Sequence, residues 1–168
     1  MEDLVMNELV QTIAQQLTAR HWMLATAESC TGGLIAAQCT DLSGSSLWFD
    51  RGFVSYSNDA KSQMLGVPPE LIQAHGAVSE TVALAMALGA VYRSKARASV
   101  AVTGVAGPTG GSPDKPVGTV WIAWCIGAEA SAQLYFFSGD RQSIRIQTVE
   151  TAFRGLSERL LLSARTLE

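Results

Sequence analysis

The chain has little with which to build a metal centre or a disulfide framework. Its three cysteines, Cys30, Cys39 and Cys125, are an odd number with no C-x-x-C pair, and its two histidines, His21 and His75, stand far apart. Neither spacing suits a zinc site or a cross-linked scaffold, so no metal is expected. Basic clusters are missing too. Twelve Lys and Arg against fifteen Asp and Glu leave a net charge of −3, without the cationic footprint that binding to nucleic acid requires. Apolar runs such as Val82 to Val91 fall short of the roughly 20 residues that span a bilayer, so no membrane partner is expected. The start, Met1-Glu2-Asp3, is acidic where an export signal is basic, which points to the cytoplasm. Internal repeats and low-complexity linkers are absent.

What is present is 168 residues, 48% of them hydrophobic, enough for one domain over 1–168 with a real core. Leu4, Val5, Leu9, Val10, Ile13 and Leu17 fall on one helical face, which predicts an opening helix. Trp22-Met23-Leu24-Ala25 reads as a short buried strand, and Leu34 to about Asp41 as a helix. Trp48 to Tyr56 has strand composition. Ser57-Asn58-Asp59 then caps a short helix through Lys61 and Leu65, Pro68-Pro69 opens another, and Ser79 to Val91 forms a nearly all-round apolar helix that should be buried. Ala98 to Thr103, Val117 to Ile126 and Ala132 to Phe137 are strands, with Gly127-Ala128-Glu129 turning the last two. Asp140 caps a closing helix that buries Ile144, Val149, Phe153, Leu156 and Leu160. Helices and strands that alternate early, followed by a late hairpin, predict an α/β fold: a three-layer α/β/α sandwich around a mixed, mostly parallel sheet. Buried-looking apolar helices and aromatics at the surface leave room for a homo-oligomeric interface.

The chemistry points to three segments that such a sheet would gather at its strand ends. Thr26-Ala27-Glu28-Ser29-Cys30-Thr31-Gly32-Gly33 joins a strand to a helix and sets a hydroxyl beside a thiol. It reads either as a nucleophile turn whose helix-start N–H groups stabilise negative charge, or as a plain helix cap made by Thr31. No histidine is placed to activate Ser29, but a buried lysine can be neutral and act as a base, and Lys61 follows Tyr56 by five residues across a strand-to-helix turn. The alternative is a solvated lysine and a half-buried tyrosine. Gly104 to Gly111 lacks the endings of a P-loop and of a dinucleotide fingerprint, so no cofactor is expected. Its backbone N–H groups, with the Thr103 hydroxyl, could hold a phosphate or a carboxamide, or it could be a surface loop. Arg141, beside Asp140, could grip a phosphate with two parallel bonds, and Arg145 one turn later is the weaker candidate. Cys30 reads first as a small hydrophobe.

Seven ordered motifs carry a resemblance over nearly the whole chain: the Thr26–Gly33 segment, Gly44-Ser45-Ser46, Arg51 to Lys61, His75 to Glu80, Thr103 to Pro108, Lys115 to Val120, and Ser138-Gly139-Asp140-Arg141. Together they resemble the CinA C-terminal domain family, whose enzymatic members are nicotinamide-nucleotide amidases. The resemblance implies the same three-layer fold and a small-molecule nucleotide substrate, nicotinamide mononucleotide, hydrolysed to nicotinate mononucleotide and ammonia. It implies catalytic roles for Ser29, Tyr56 and Lys61. Substrate contacts are implied for Thr103, Gly104, Ala106, Gly107 and Arg141, and for the backbone after Ser29 at Thr31 and Gly32. Lys61 would draw the Ser29 proton directly or through Tyr56. Many relatives carry a preceding domain similar to molybdopterin-binding proteins, which is not expected here. A nucleotide-binding regulator of the same fold is the rival expectation.

Overall fold

A computed structural model describes residues 2–166. In chain order it contains α1 (Glu2–Arg20), β1 (Leu24–Glu28), α2 (Leu34–Thr40), a 3-10 turn (Ser45–Leu47), β2 (Phe49–Val54), α3 (Asn58–Leu65), α4 (Pro69–His75), α5 (Glu80–Tyr92), β3 (Ala98–Gly104), β4 (Thr119–Ile126), β5 (Glu129–Phe136) and α6 (Arg141–Thr166). The strands form one sheet in the order β2-β1-β3-β4-β5. β1 pairs in parallel with both β2 and β3, while β4 is antiparallel to β3 and to β5. Only β4 runs against the other four strands, so the mixed, mostly parallel sheet expected from the sequence is present.

Strand side chains alternate between the two faces, and each face has its own core. Leu24, Val100, Val102, Ile122 and Trp124 point to the side covered by α1, α2 and α6, where Ile13, Leu17, Ile35, Phe153, Leu156 and Leu160 complete a core of large side chains. Ala25, Ala27, Ala101, Ala123 and Cys125 point to the other side, against Leu65, Ile72, Val82, Ala83, Met86, Ala87 and Ala90 of α3, α4 and α5. This second interface is built from small residues, which lets α5 lie close on the strands.

Local signals explain most boundaries. Ser57 and Ser79 accept N–H bonds from Ala60 and Val82 as N-caps, and the Asp140 carboxylate accepts one from Ser143 at the head of α6. Two expectations shift. The first strand begins at Leu24 and runs to Glu28, because its ladder with β3 pairs Leu24 with Ala98 and Glu28 with Val102. On α1, Val10, Ile13 and Leu17 are buried, whereas Leu4 and Val5 are exposed. Periodicity identifies the face of a helix but not how far a neighbour extends beneath it.

The chain leaves β1 toward β2 and leaves β3 toward β4. The C-terminal ends of β1 and β3 therefore flank a crevice where the strand order reverses, the place where open α/β sheets bind ligands.

Candidate active site

Ser29 sits one residue past β1 in that crevice, with its N–H bonded to the Val102 carbonyl at 3.1 Å. Behind it the chain turns through Gly32 and Gly33 at φ of 60° and 108°, a left-handed conformation that glycine adopts without strain. The expected Thr31 cap is not formed. The Thr31 hydroxyl donates to the Glu28 carboxylate at 2.7 Å, and that carboxylate accepts the N–H groups of Ile35 and Ala36 at 2.8 and 3.0 Å. A carboxylate has two oxygens and can accept all three bonds, so Glu28 displaces the single hydroxyl as the cap of α2.

Lys61 reaches the same point from α3. Its Nζ lies 3.1 Å from Ser29 Oγ, 3.1 Å from the Ser55 carbonyl and 3.1 Å from the Tyr56 carbonyl. Side chains on a helix lean toward its N-terminus, so Lys61 folds back over the turn that begins α3. Only 1% of the residue is exposed. The ion pairs among the described residues are Arg51–Asp50 and Arg154–Glu150, neither of which touches it. Desolvation pulls the lysine below its ordinary pKa of 10.5, against a smaller opposing pull from Cys30. A neutral amine has two N–H donors and one lone pair. Nζ donates to Ser29 Oγ, whose own hydroxyl lies 3.5 Å from the Tyr56 carbonyl; once deprotonated, the amine would keep its two N–H groups on the carbonyls and turn its lone pair to the Ser29 hydroxyl.

Cys30 also lines the crevice, but burial pushes its thiol up to about 11, with Glu28 adding to the rise. At neutral pH it is a thiol and a weak nucleophile. Tyr56 divides its roles. Its carbonyl faces Lys61, while its phenol accepts a bond from Arg141 Nη2 at 3.2 Å. Arg141 Nη1 donates to the Gly107 carbonyl at 2.7 Å, joining the glycine-rich loop to the rim. Ser29, Lys61, Tyr56, Thr103, Gly104, Ala106 and Arg141 all line one cavity of about 230 Å³, and a neighbouring hollow of about 480 Å³ shares Ala106 and Arg141 with it. Among the described residues there is no cluster of three or more His, Cys, Asp or Glu able to hold a metal. Nor is any described helix long and apolar enough to cross a membrane.

The CinA C-terminal domain model matches residues 6–160. The chain belongs to the CinA C-terminal domain family. It is 47% identical over 162 residues to the nicotinamide-nucleotide amidohydrolase PncC of Escherichia coli K12, covering 96% of this chain and 98% of the relative. It is 50% identical over 148 residues to the protein of the same name from Pseudomonas putida, covering 88% and 92%. The crystal structure of the competence/damage inducible protein CihA from Agrobacterium tumefaciens superposes with a TM-score of 0.88 at 48% identity, covering 90% of this chain and 93% of that one.

Some residues that the family resemblance singles out lie outside the cavity lining. Thr31 is fully buried against Glu28, Gly32 donates its N–H to the Ser29 carbonyl, and Gly107 meets Arg141 through its carbonyl. Arg145 binds main chain: Nε donates to the Cys30 carbonyl at 3.0 Å and Nη2 to the Thr31 carbonyl at 3.2 Å. The sequence reading did not single out Asn58, Ala77 and Val78, which line the cavity. Thr103 shows why Ala77 is there, because its hydroxyl donates to the Ala77 carbonyl at 2.9 Å and draws the segment before α5 over the crevice. Glu28 was missed as well, although a lone acid ending an apolar strand three residues before a threonine was a readable signal.

Proposed function

We propose that the chain is a nicotinamide-nucleotide amidase that uses Ser29 as nucleophile and Lys61 as base. The observation that carries this reading is the 3.1 Å contact between a serine hydroxyl and a buried lysine that has no counter-ion among the described residues, inside a cavity rimmed by an arginine. Neutral Lys61 takes the proton as Ser29 Oγ bonds to the carboxamide carbon, and the carbonyl oxygen becomes an oxyanion. Backbone N–H groups after Ser29 stabilise that charge. When the tetrahedral adduct collapses, the C–N bond breaks and protonated Lys61 returns its proton to the departing amine, which releases ammonia. Water, deprotonated by the same lysine, then cleaves the ester to give the carboxylate and free Ser29. Because Nζ contacts Ser29 directly, this route needs no relay through the Tyr56 phenol, which stands with Arg141 at the rim. Arg141 is suited to the nucleotide phosphate, and holding that end fixes the pyridine carboxamide over Ser29.

The names of the relatives support this reaction, and the Ser29–Lys61 geometry supports the serine route. Ammonia release from nicotinamide mononucleotide tests both. Ser29→Ala and Lys61→Met should each lower kcat by about 10³-fold or more, as removal of a nucleophile or its base does in serine hydrolases. Turnover that survives Ser29→Ala would falsify the serine route. Tight nucleotide binding by the wild type without ammonia release would select the regulator instead.

A further inference from the structure

Glu28 and Arg145 are charged and touch the serine turn, but neither lines the cavity. Glu28 has no exposed surface and takes part in neither ion pair found among the described residues. Capping a helix does not require this arrangement, since uncharged serines cap α3 and α5 in the same molecule. Burying a carboxylate is costly unless it is well hydrogen-bonded. Here the carboxylate ties the Thr31 hydroxyl to the N–H groups of Ile35 and Ala36, which fastens the turn to α2. From a second element, α6, Arg145 holds the carbonyls of Cys30 and Thr31. Because peptide units are planar, fixing the Cys30 carbonyl also fixes the direction of the Thr31 N–H, while the Gly32 N–H is held by the Ser29 carbonyl at 3.1 Å.

We propose that Glu28 and Arg145 are positioning residues that clamp the Ser29–Gly33 turn from two elements, β1 and α6, keeping the Ser29 hydroxyl on Lys61 and the Thr31 N–H in a fixed direction for the oxyanion. For its reaction the proposal rests on the amidase reading. Its geometric content is that Ser29 is held ready to attack any acyl-like electrophile.

The test combines steady-state hydrolysis of nicotinamide mononucleotide with the rate at which a fluorophosphonate modifies Ser29, followed by intact mass on the full chain. Melting curves confirm that each variant is folded. Displacing a reacting group by about 1 Å costs on the order of 10²-fold in rate. Glu28→Gln places an amide N–H against that of Ala36, and Arg145→Ala frees both carbonyls. Each should lower kcat and the phosphonylation rate by about that factor and leave KM within a few-fold, with Arg145→Lys recovering part of the loss. Arg145→Ala decides the matter if Glu28→Gln does not fold. A rise in KM at unchanged kcat would make Arg145 a substrate ligand and overturn the clamp. Folded variants that are phosphonylated at the wild-type rate would also overturn it, leaving the amidase reading intact. A wild type that neither releases ammonia nor reacts at Ser29 would remove both.

Discussion

The two faces of the sheet are packed on opposite plans, and each sends one partner to the site. Beneath α1, α2 and α6 the strands present Leu24, Val100, Ile122 and Trp124, and large helix residues fill the space between layers. Beneath α3 to α5 they present mostly alanine, and the helices come close instead. One glycine on each side marks the contrast. A Cβ on Gly155 of α6 would lie 2.2 Å from the Trp124 ring, whose Nε1 donates to the Ala152 carbonyl and over whose face Arg159 stacks at 3.7 Å. A Cβ on Gly89 of α5 would lie 2.0 Å from the Leu65 backbone carbonyl. The first glycine makes room for a side chain, the second for main chain. Leu65 ends the helix that carries Lys61, so the small-residue face sets the position of that amine, while the large-residue face carries Glu28 and Arg145 around the Ser29 turn.

The largest effect should come from emptying the large-residue face. Phe153→Ala is expected to cost about 3–5 kcal/mol in denaturant unfolding; because Phe153 lies about two turns along α6 from Arg145, the bonds from Arg145 to the Cys30 and Thr31 carbonyls, the Ser29–Lys61 contact and the specific activity of the folded fraction should change little. A loss of activity that exceeds the loss of folded protein would break the separation between the two faces.

Next come the glycines. Gly89→Ala and Gly155→Ala each gain about 1 kcal/mol of helix propensity, against overpacking of about 1–3 kcal/mol, so both should destabilise. Only Gly89→Ala should also lower kcat, because α3 must move away and take Lys61 with it. Equal kcat losses in the two variants would show that the faces are not distinct in this respect.

The smallest effect is the pH dependence of Lys61. Its folded pKa lies below the unfolded 10.5, so between those values the unfolded chain binds more protons and stability rises with pH. The penalty is fully present below the folded pKa and disappears above 10.5. Lys61→Met should therefore be more stable than wild type at neutral pH in urea titrations, with the gap closing as pH approaches 10.5. A gap that widens with pH would mean that the lysine is held charged.

Much of this was legible beforehand. The strand-turn-helix at Ser29, the caps at Ser57, Ser79 and Asp140, and the closing hairpin follow from local patterns, and those patterns were sufficient for the layer order. Arg145 was not legible. It lies 115 residues from Cys30 in sequence, and no local pattern distinguishes an arginine that grips a carbonyl from one that grips a phosphate. The exposure of Leu4 and Val5 in the first turn of α1 is illegible for a similar reason, since burial depends on a neighbour that periodicity does not reveal.

The order of residues alone determined which segments become strand, turn and helix, because φ/ψ preferences, caps and apolar spacing act over a few positions. It also determined that a hydroxyl would stand on a glycine-backed turn. Only the tertiary structure decided that an amine 32 residues away reaches that hydroxyl with no counter-ion among the described residues, and that Glu28 rather than Thr31 caps α2. Desolvation and long-range hydrogen bonds depend on everything packed around a group, and that surrounding exists only once the two faces have closed on the sheet.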